Sequence, residues 1–212
     1  MAKAARFRQS NLRRRRAFID QRAVFLLICE GGNSEPLYFS SLGRTLKATV
    51  IESIKGAGSP DAIADKAVEE ARSRGFFSRS GRKQRVARGD QIWAVFDRDQ
   101  HEHFDAAVTK CEQNGIKVAR SNPCFEVWLI LHVEEFHRPD GRDVLFHHFC
   151  TLRPDYKEGK GRRCDFSTLI EAVQIAEGRA EKQLAARHEE GDPYGRQSTT
   201  VHYLTQALRT RG

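Results

Sequence analysis

The sequence predicts an α/β fold: a mainly parallel, four-stranded sheet flanked by helices, followed by a C-terminal helical extension. Residues 23–29 (AVFLLIC) and 92–96 (IWAVF) are continuous apolar runs rather than alternating ones, the pattern of strands covered on both faces. Segments of helical spacing separate these and two shorter strand-like runs, as parallel crossovers require. A third observation gives the sheet a functional edge. Glu30 directly follows the first run, and Asp97 and Asp99 follow the other. Carboxylates therefore gather where open α/β sheets bind ligands.

Composition narrows the partner. The chain has 212 residues, a formal charge of +8 and a pI near 9.5, which point to a polyanion, nucleic acid before membrane. At this length one domain with additions is expected. No apolar run is long enough to span a bilayer, and the Arg-rich start lacks the apolar core of a signal peptide, so a cytoplasmic protein is expected. Cys29, Cys111, Cys124, Cys150 and Cys164 are scattered without a Cys-x-x-Cys pair, and His101/His103 and His147/His148 have no finger spacing. Neither a disulfide framework nor a zinc site is expected.

Residues 1–20 form a flexible basic arm. Lys3, Arg6, Arg8, Arg13, Arg14, Arg15 and Arg16 come before any acid, and so dense a charge block cannot pack. It serves either as a phosphate-binding arm, with steeply salt-dependent affinity, or as a solubilising tail. After the first strand, Gly31 and Gly32 let a phosphate or metal approach the backbone. Ser34 is placed as a helix N-cap, with Pro36 at the first helical position and Leu37, Phe39 and Leu42 along the helix.

Residues 48–53 alternate as a short strand, and Ser59-Pro60-Asp61 opens a helix whose apolar face is Ile63, Ala64, Ala67, Val68 and Ala71. Residues 75–89 read as an exposed basic loop. Lys83 and Arg85 are its candidate nucleic-acid contacts, and Phe76-Phe77 at its start suit stacking on bases. Asp97 and Asp99 lie on the same side of an extended chain. Their repulsion is relieved by a divalent cation, although a solvated acidic turn is the other reading.

Residues 104–114 form a helix stopped by Gly115, residues 116–120 a fourth strand, and Ser121-Asn122-Pro123 a tight turn. In the helical run 124–132 (CFEVWLILH), Glu126 sits among apolar residues and calls for a cationic partner, from protein or metal. Residues 144–152 form a short helix. The loop 156–163 (YKEGKGRR) brings Lys157, Lys160, Arg162 and Arg163 toward a phosphate or leaves them solvated. Residues 166–189 form one long amphipathic helix, serving either a homodimer or the core, and 199–209 a terminal helix.

A Glu after the first strand and Asp-x-Asp after the third resemble the topoisomerase–primase (Toprim) pattern. The segments ICEGGNSEPLYF (28–39), VFDRD (95–99), SNPCFEVWLILH (121–132) and STTVHYL (198–204) narrow the likeness to the RloB family. The resemblance implies a Toprim-like catalytic core at 21–135, with 136–212 packed on it. It implies that Glu30, Asp97 and Asp99 bind Mg²⁺, for which Mn²⁺ substitutes. Glu126 would be an accessory acid, and His132 and Lys157 polar residues near the site. The implied activity is a metal-dependent endonuclease acting on RNA (transfer RNA included) or DNA, serving as an anti-phage or abortive-infection effector. An ABC-type or AAA-type ATPase would be its partner.

Two departures bear on the substrate. The family has Glu-Lys-Thr after Glu-Gly where this chain has Gly32-Asn33-Ser34, so a cation is missing while the hydroxyl remains. Arg196-Gln197 stands where the family has Asn-Pro. A non-catalytic nucleic-acid-binding module, its acids serving only the sheet edge, is the alternative reading. A haloacid-dehalogenase-type phosphatase fits less well, because Asp-x-Asp is not on the first strand and Gln100 stands where that family has Thr or Val.

Overall fold

The computed structural model describes residues 23–46, 50–55, 58–76, 89–98, 101–156 and 164–211. The basic arm with Arg13–Arg16, the loop residues Lys83 and Arg85, Asp99, and Lys157 and Lys160 lie outside the described residues.

Five strands form one sheet in the order β2-β1-β3-β4-β5. They are β1 (Val24–Cys29), β2 (Val50–Ile54), β3 (Gln91–Asp97), β4 (Lys117–Asn122) and β5 (Ser198–Thr199). The first four run parallel and β5 is antiparallel to β4. The helices are α1 (Ser34–Thr45), α2 (Pro60–Ser73), α3 (Phe104–Gln113), α4 (Glu126–Leu131), α5 (Arg142–Leu152), α6 (Ser167–Ile170), α7 (Val173–Glu189) and α8 (Val201–Arg211).

The unbroken apolar strands follow from burial on two sides. Leu26 and Ile28 of β1 and Ile92, Ala94 and Phe96 of β3 pack with α2 and α3. The alternate residues Phe25, Leu27, Cys29, Trp93 and Val95 face α1, α4 and the helices of the C-terminal half. That second layer joins Trp128 and Leu129 to Phe149, Tyr156, Ala176 and Leu204, so the described residues of 136–156 and 164–211 share a core with the sheet. Because β2 lies on one side of β1 and β3 on the other, the chain reverses direction across the sheet between β1 and β3. Helices α1 and α3 leave the two strands on opposite faces and open a crevice at their carboxyl ends.

Five expectations are corrected. The sheet has a fifth strand: two residues, too short for any periodicity, pair Ser121 with Thr199 and Asn122 with Ser198. The segment Ser121-Asn122 therefore extends β4, and the turn comes afterwards at Pro123. Asn33, not Ser34, is the N-cap of α1, and Pro36 occupies the third helical position, because the Ser34 hydroxyl bonds Tyr156. The expected helix 166–189 is broken at Ala172 (φ −95°, ψ 10°), with no proline or glycine to announce it. Phe76 does not face solvent: Gly75 turns the end of α2 at φ 68°, and Phe76 is buried beside α2.

Candidate active site

The crevice gathers acids from the ends of β1 and β3 and the starts of α1 and α4. The Glu30 N–H donates to the Val95 carbonyl at 3.0 Å, extending the β1–β3 ladder by one residue. Its Oε2 accepts the Asp97 N–H at 2.9 Å, so the side chain spans the ends of both strands. Asp97 follows Trp93 and Val95 on the same strand face and is 4% exposed. Glu35 turns back from the first turn of α1, and its Oε1 accepts the Gly31 N–H at 3.1 Å. Gly31 is needed for this approach: a Cβ there would overlap the carboxylate, with the Glu35 carboxyl carbon 2.7 Å away. Glu126 begins α4 and lines the same cleft of about 290 Å³, together with Glu30, Glu35, Asp97 and Arg142.

Charge dominates this space. Burial first, then Glu35, Glu30 and Glu126, push the Asp97 carboxyl well above its usual range, and Arg142 opposes them. The Arg142 guanidinium lies 3.4 Å from Asp97 Oδ2. Burial likewise pushes Glu35 up to about 7, with Glu126 and Glu30 adding to it and backbone N–H bonds working against it. Low-dielectric, like-charged surroundings favour whatever neutralises them, a proton or a cation. His101 lies 3.9 Å from Glu30 on the exposed side.

By donor type the cleft fits a hard divalent cation, since carboxylate oxygens surround it and Glu30 and Asp97 meet at the strand ends. Among the described residues, no group of three or more His, Cys, Asp or Glu side chains is arranged to hold a metal ion. Magnesium does not require such a cage, because it commonly takes one or two carboxylates and completes its shell with water and phosphate oxygens.

The arrangement has the sequence signature expected at such an edge. A family model of RloB-like proteins matches residues 25–208. The chain belongs to the RloB family. The matched span runs from within β1 to within α8, so the sheet, the cleft and the C-terminal helices lie in the RloB match but for the outer ends of those two elements. No curated protein and no solved structure matches the chain.

Glu30, Asp97 and Glu126 thus come together. For Glu126 the partner among the described residues is a tyrosine: its Oε1 accepts a 2.7 Å hydrogen bond from the Tyr156 hydroxyl. That proton being committed, Ser34 Oγ donates to the Tyr156 oxygen at 2.7 Å. His132 does not line the cleft. Its Nδ1 donates to the Trp128 carbonyl and its Nε2 accepts from Tyr38, and burial pushes its pKa down to about 4. It is a neutral core histidine.

Three site residues went unread in the sequence. Glu35 was legible in principle, as a second acid five residues after Glu30 at a helix start beside two glycines. Tyr156 and Arg142 reach the cleft from beyond α4, and no local pattern marks them.

Proposed function

We propose that this RloB-family chain is a Mg²⁺-dependent endonuclease of Toprim type that cleaves RNA or DNA phosphodiesters. The observation that carries the reading is the crevice between β1 and β3, where Glu30 and Asp97 are joined and Glu35 and Glu126 raise the cost of leaving the site without a cation. Glu30 and Asp97 would hold the metal, with Asp99 beside them in sequence. When bound, Mg²⁺ supplies charge neutralisation at a phosphodiester, as hard cations do in phosphoryl transfer.

The chain's own residues do the rest. Gly31 and Gly32 let a phosphate approach the backbone, and a Cβ at Gly32 would meet nothing within 4 Å. Arg142, beside Asp97 and about half exposed, meets the charge of an incoming phosphate. Burial holds Glu35 up at about 7 in the metal-free cleft, so its proton is given up as a cation enters. Tyr156 fixes the Glu126 carboxylate from behind. Lys157 follows Tyr156 directly in the sequence, and Lys160 comes three residues later; both are further candidate positive charges. The excess of 36 Lys and Arg over 28 Asp and Glu suits a nucleic-acid substrate. An anti-phage role, gated by an ABC-type or AAA-type ATPase, follows from the family likeness. Among the described residues no helix is long and apolar enough to cross a membrane.

A second reading has its own support. The hydrogen bond from the Asp97 N–H to Glu30 gives that acid a structural task, as a non-catalytic nucleic-acid-binding module would need. Calorimetric titration of Mg²⁺ into wild type and Asp97→Asn separates the two. The nuclease reading expects binding near pH 6.5 that releases protons held by the acids, weakened about tenfold or more in the variant. Equal affinity in both proteins, or no binding to either, would favour the module.

A further inference from the structure

A second cleft, away from the carboxylates, lies along the outer edge of β4. It holds about 460 Å³ and is lined by Trp93, Glu112, Lys117, Arg120, Tyr194 and Tyr203 among others. Strand β5 pairs only with Ser121 and Asn122, so among the described residues no strand covers β4 from Lys117 to Ala119. Two cations stand in this groove with no acid within ion-pair distance among the described residues. Lys117 Nζ donates to Gln91 Oε1 at 3.0 Å and lies over the Trp93 ring, 5.2 Å from its centroid. The Arg120 guanidinium stacks on Tyr194, 3.0 Å from the ring centroid. Neither forms an ion pair among the described residues. Burial, followed by the Arg211 charge for Lys117, lowers the pKa of both. Their charges are thus held at a desolvation cost that an anion would relieve.

Tyr203 is the remaining wall. It is 50% exposed, with its ring centroid 4.0 Å from that of His202. Side chains of this kind match one ligand chemistry: a planar base on an aromatic face, with phosphates beside guanidinium and ammonium groups. Glu112, an acceptor on the same wall, suits an exocyclic amine rather than a phosphate. The groove is also tied to the catalytic edge. Arg98, the residue after Asp97, donates to the Tyr194 carbonyl at 2.6 Å, and Asn122 Nδ2 donates to the same oxygen at 2.8 Å.

We infer that this groove binds an unpaired nucleotide of a single-stranded nucleic acid, with the base stacked on Tyr203 and flanking phosphates at Lys117 and Arg120. The inference rests on the nuclease reading for its biological purpose, but not for its test. An apolar peptide strand on the open edge of β4 is the rival occupant, and the two cations argue against it.

The experiment is fluorescence anisotropy of a labelled cytidine-rich RNA oligonucleotide and its DNA counterpart, in EDTA so that no cleavage occurs. Wild type is compared with Tyr203→Ala, Tyr203→Phe, Lys117→Ala and Lys182→Ala, the last a 75%-exposed lysine outside the groove. Circular dichroism confirms that each variant is folded. Tyr203→Ala and Lys117→Ala are each expected to weaken binding about tenfold, the loss typical of one stacked base or one phosphate contact. Tyr203→Phe and Lys182→Ala should remain close to wild type, and Lys117→Ala should show a shallower salt dependence.

Unchanged affinity in both alanine variants, or no binding of either oligonucleotide by wild type, would overturn the inference. Cleavage in Mg²⁺ with groove-independent affinity would remove the groove and keep the nuclease. Groove-dependent affinity without cleavage would keep the groove and count against the nuclease.

Discussion

Glu30→Gln is expected to lose cleavage by about a thousandfold or more while nucleic-acid affinity persists. The substitution keeps the length of the side chain and an oxygen to accept the Asp97 N–H, so the ends of β1 and β3 stay joined. What it removes is a negative charge at the cleft. A metal-centred stabilisation worth several kcal/mol in the transition state corresponds to about three powers of ten in rate, at roughly 1.4 kcal/mol per tenfold. Affinity should survive because sequence-independent binding comes from lysines and arginines neutralising phosphates, not from the acids. Single-turnover cleavage and filter binding on the same preparation read the two effects. Loss of affinity together with cleavage would make Glu30 a structural residue.

Glu35→Gln is expected to stabilise the metal-free protein above neutral pH. Burial pushes the Glu35 carboxyl up from 4.5 to about 7. The folded chain therefore holds this proton more tightly than the unfolded chain does. Between these values the folded state binds more protons, so stability falls as pH rises from about 4.5 to about 7 and stays low beyond. The lost stability is on the order of 3 kcal/mol. Glutamine cannot ionise but still accepts the Gly31 N–H, so the variant avoids most of that loss. Its melting temperature at pH 8 should exceed wild type by several degrees, and the gain should vanish below pH 4.5. Divalent cation added at pH 8 should restore part of the deficit to wild type. A variant less stable than wild type at pH 8 would mean that the Glu35 charge is compensated in the folded protein.

The parts of this protein legible in its sequence are those set by local pattern. Residues 23–29 and 92–96 read as buried strands because both faces are covered, and the acids directly after them mark the ligand-binding edge. Ser59-Pro60 opens α2, and its expected apolar face is the buried one. Elements made by distant contacts were not legible. Strand β5 exists because Ser198 and Thr199 meet Asn122 and Ser121, some eighty residues earlier. Ser34 is not the cap because its hydroxyl bonds the oxygen of Tyr156, 122 residues later. Glu126 correctly signalled an unmet need for a partner, but the pattern could not show that a tyrosine from beyond α5 meets it. Phe76 looked exposed because its neighbours are basic, although one glycine turn buries it.

The most direct test of the central claim is a cleavage panel of total RNA and plasmid DNA, with Mg²⁺ or Mn²⁺ against EDTA, using wild type and Asp97→Asn. Asp97 is the most buried of the clustered acids in charge terms, with Glu30, Glu35 and Glu126 all acting on it. Products that need the metal and vanish in the variant are predicted, and the nucleic acid cut will name the substrate class. Products that persist in EDTA, or that Asp97→Asn makes as well as wild type, would contradict a metal-dependent nuclease built on this cleft.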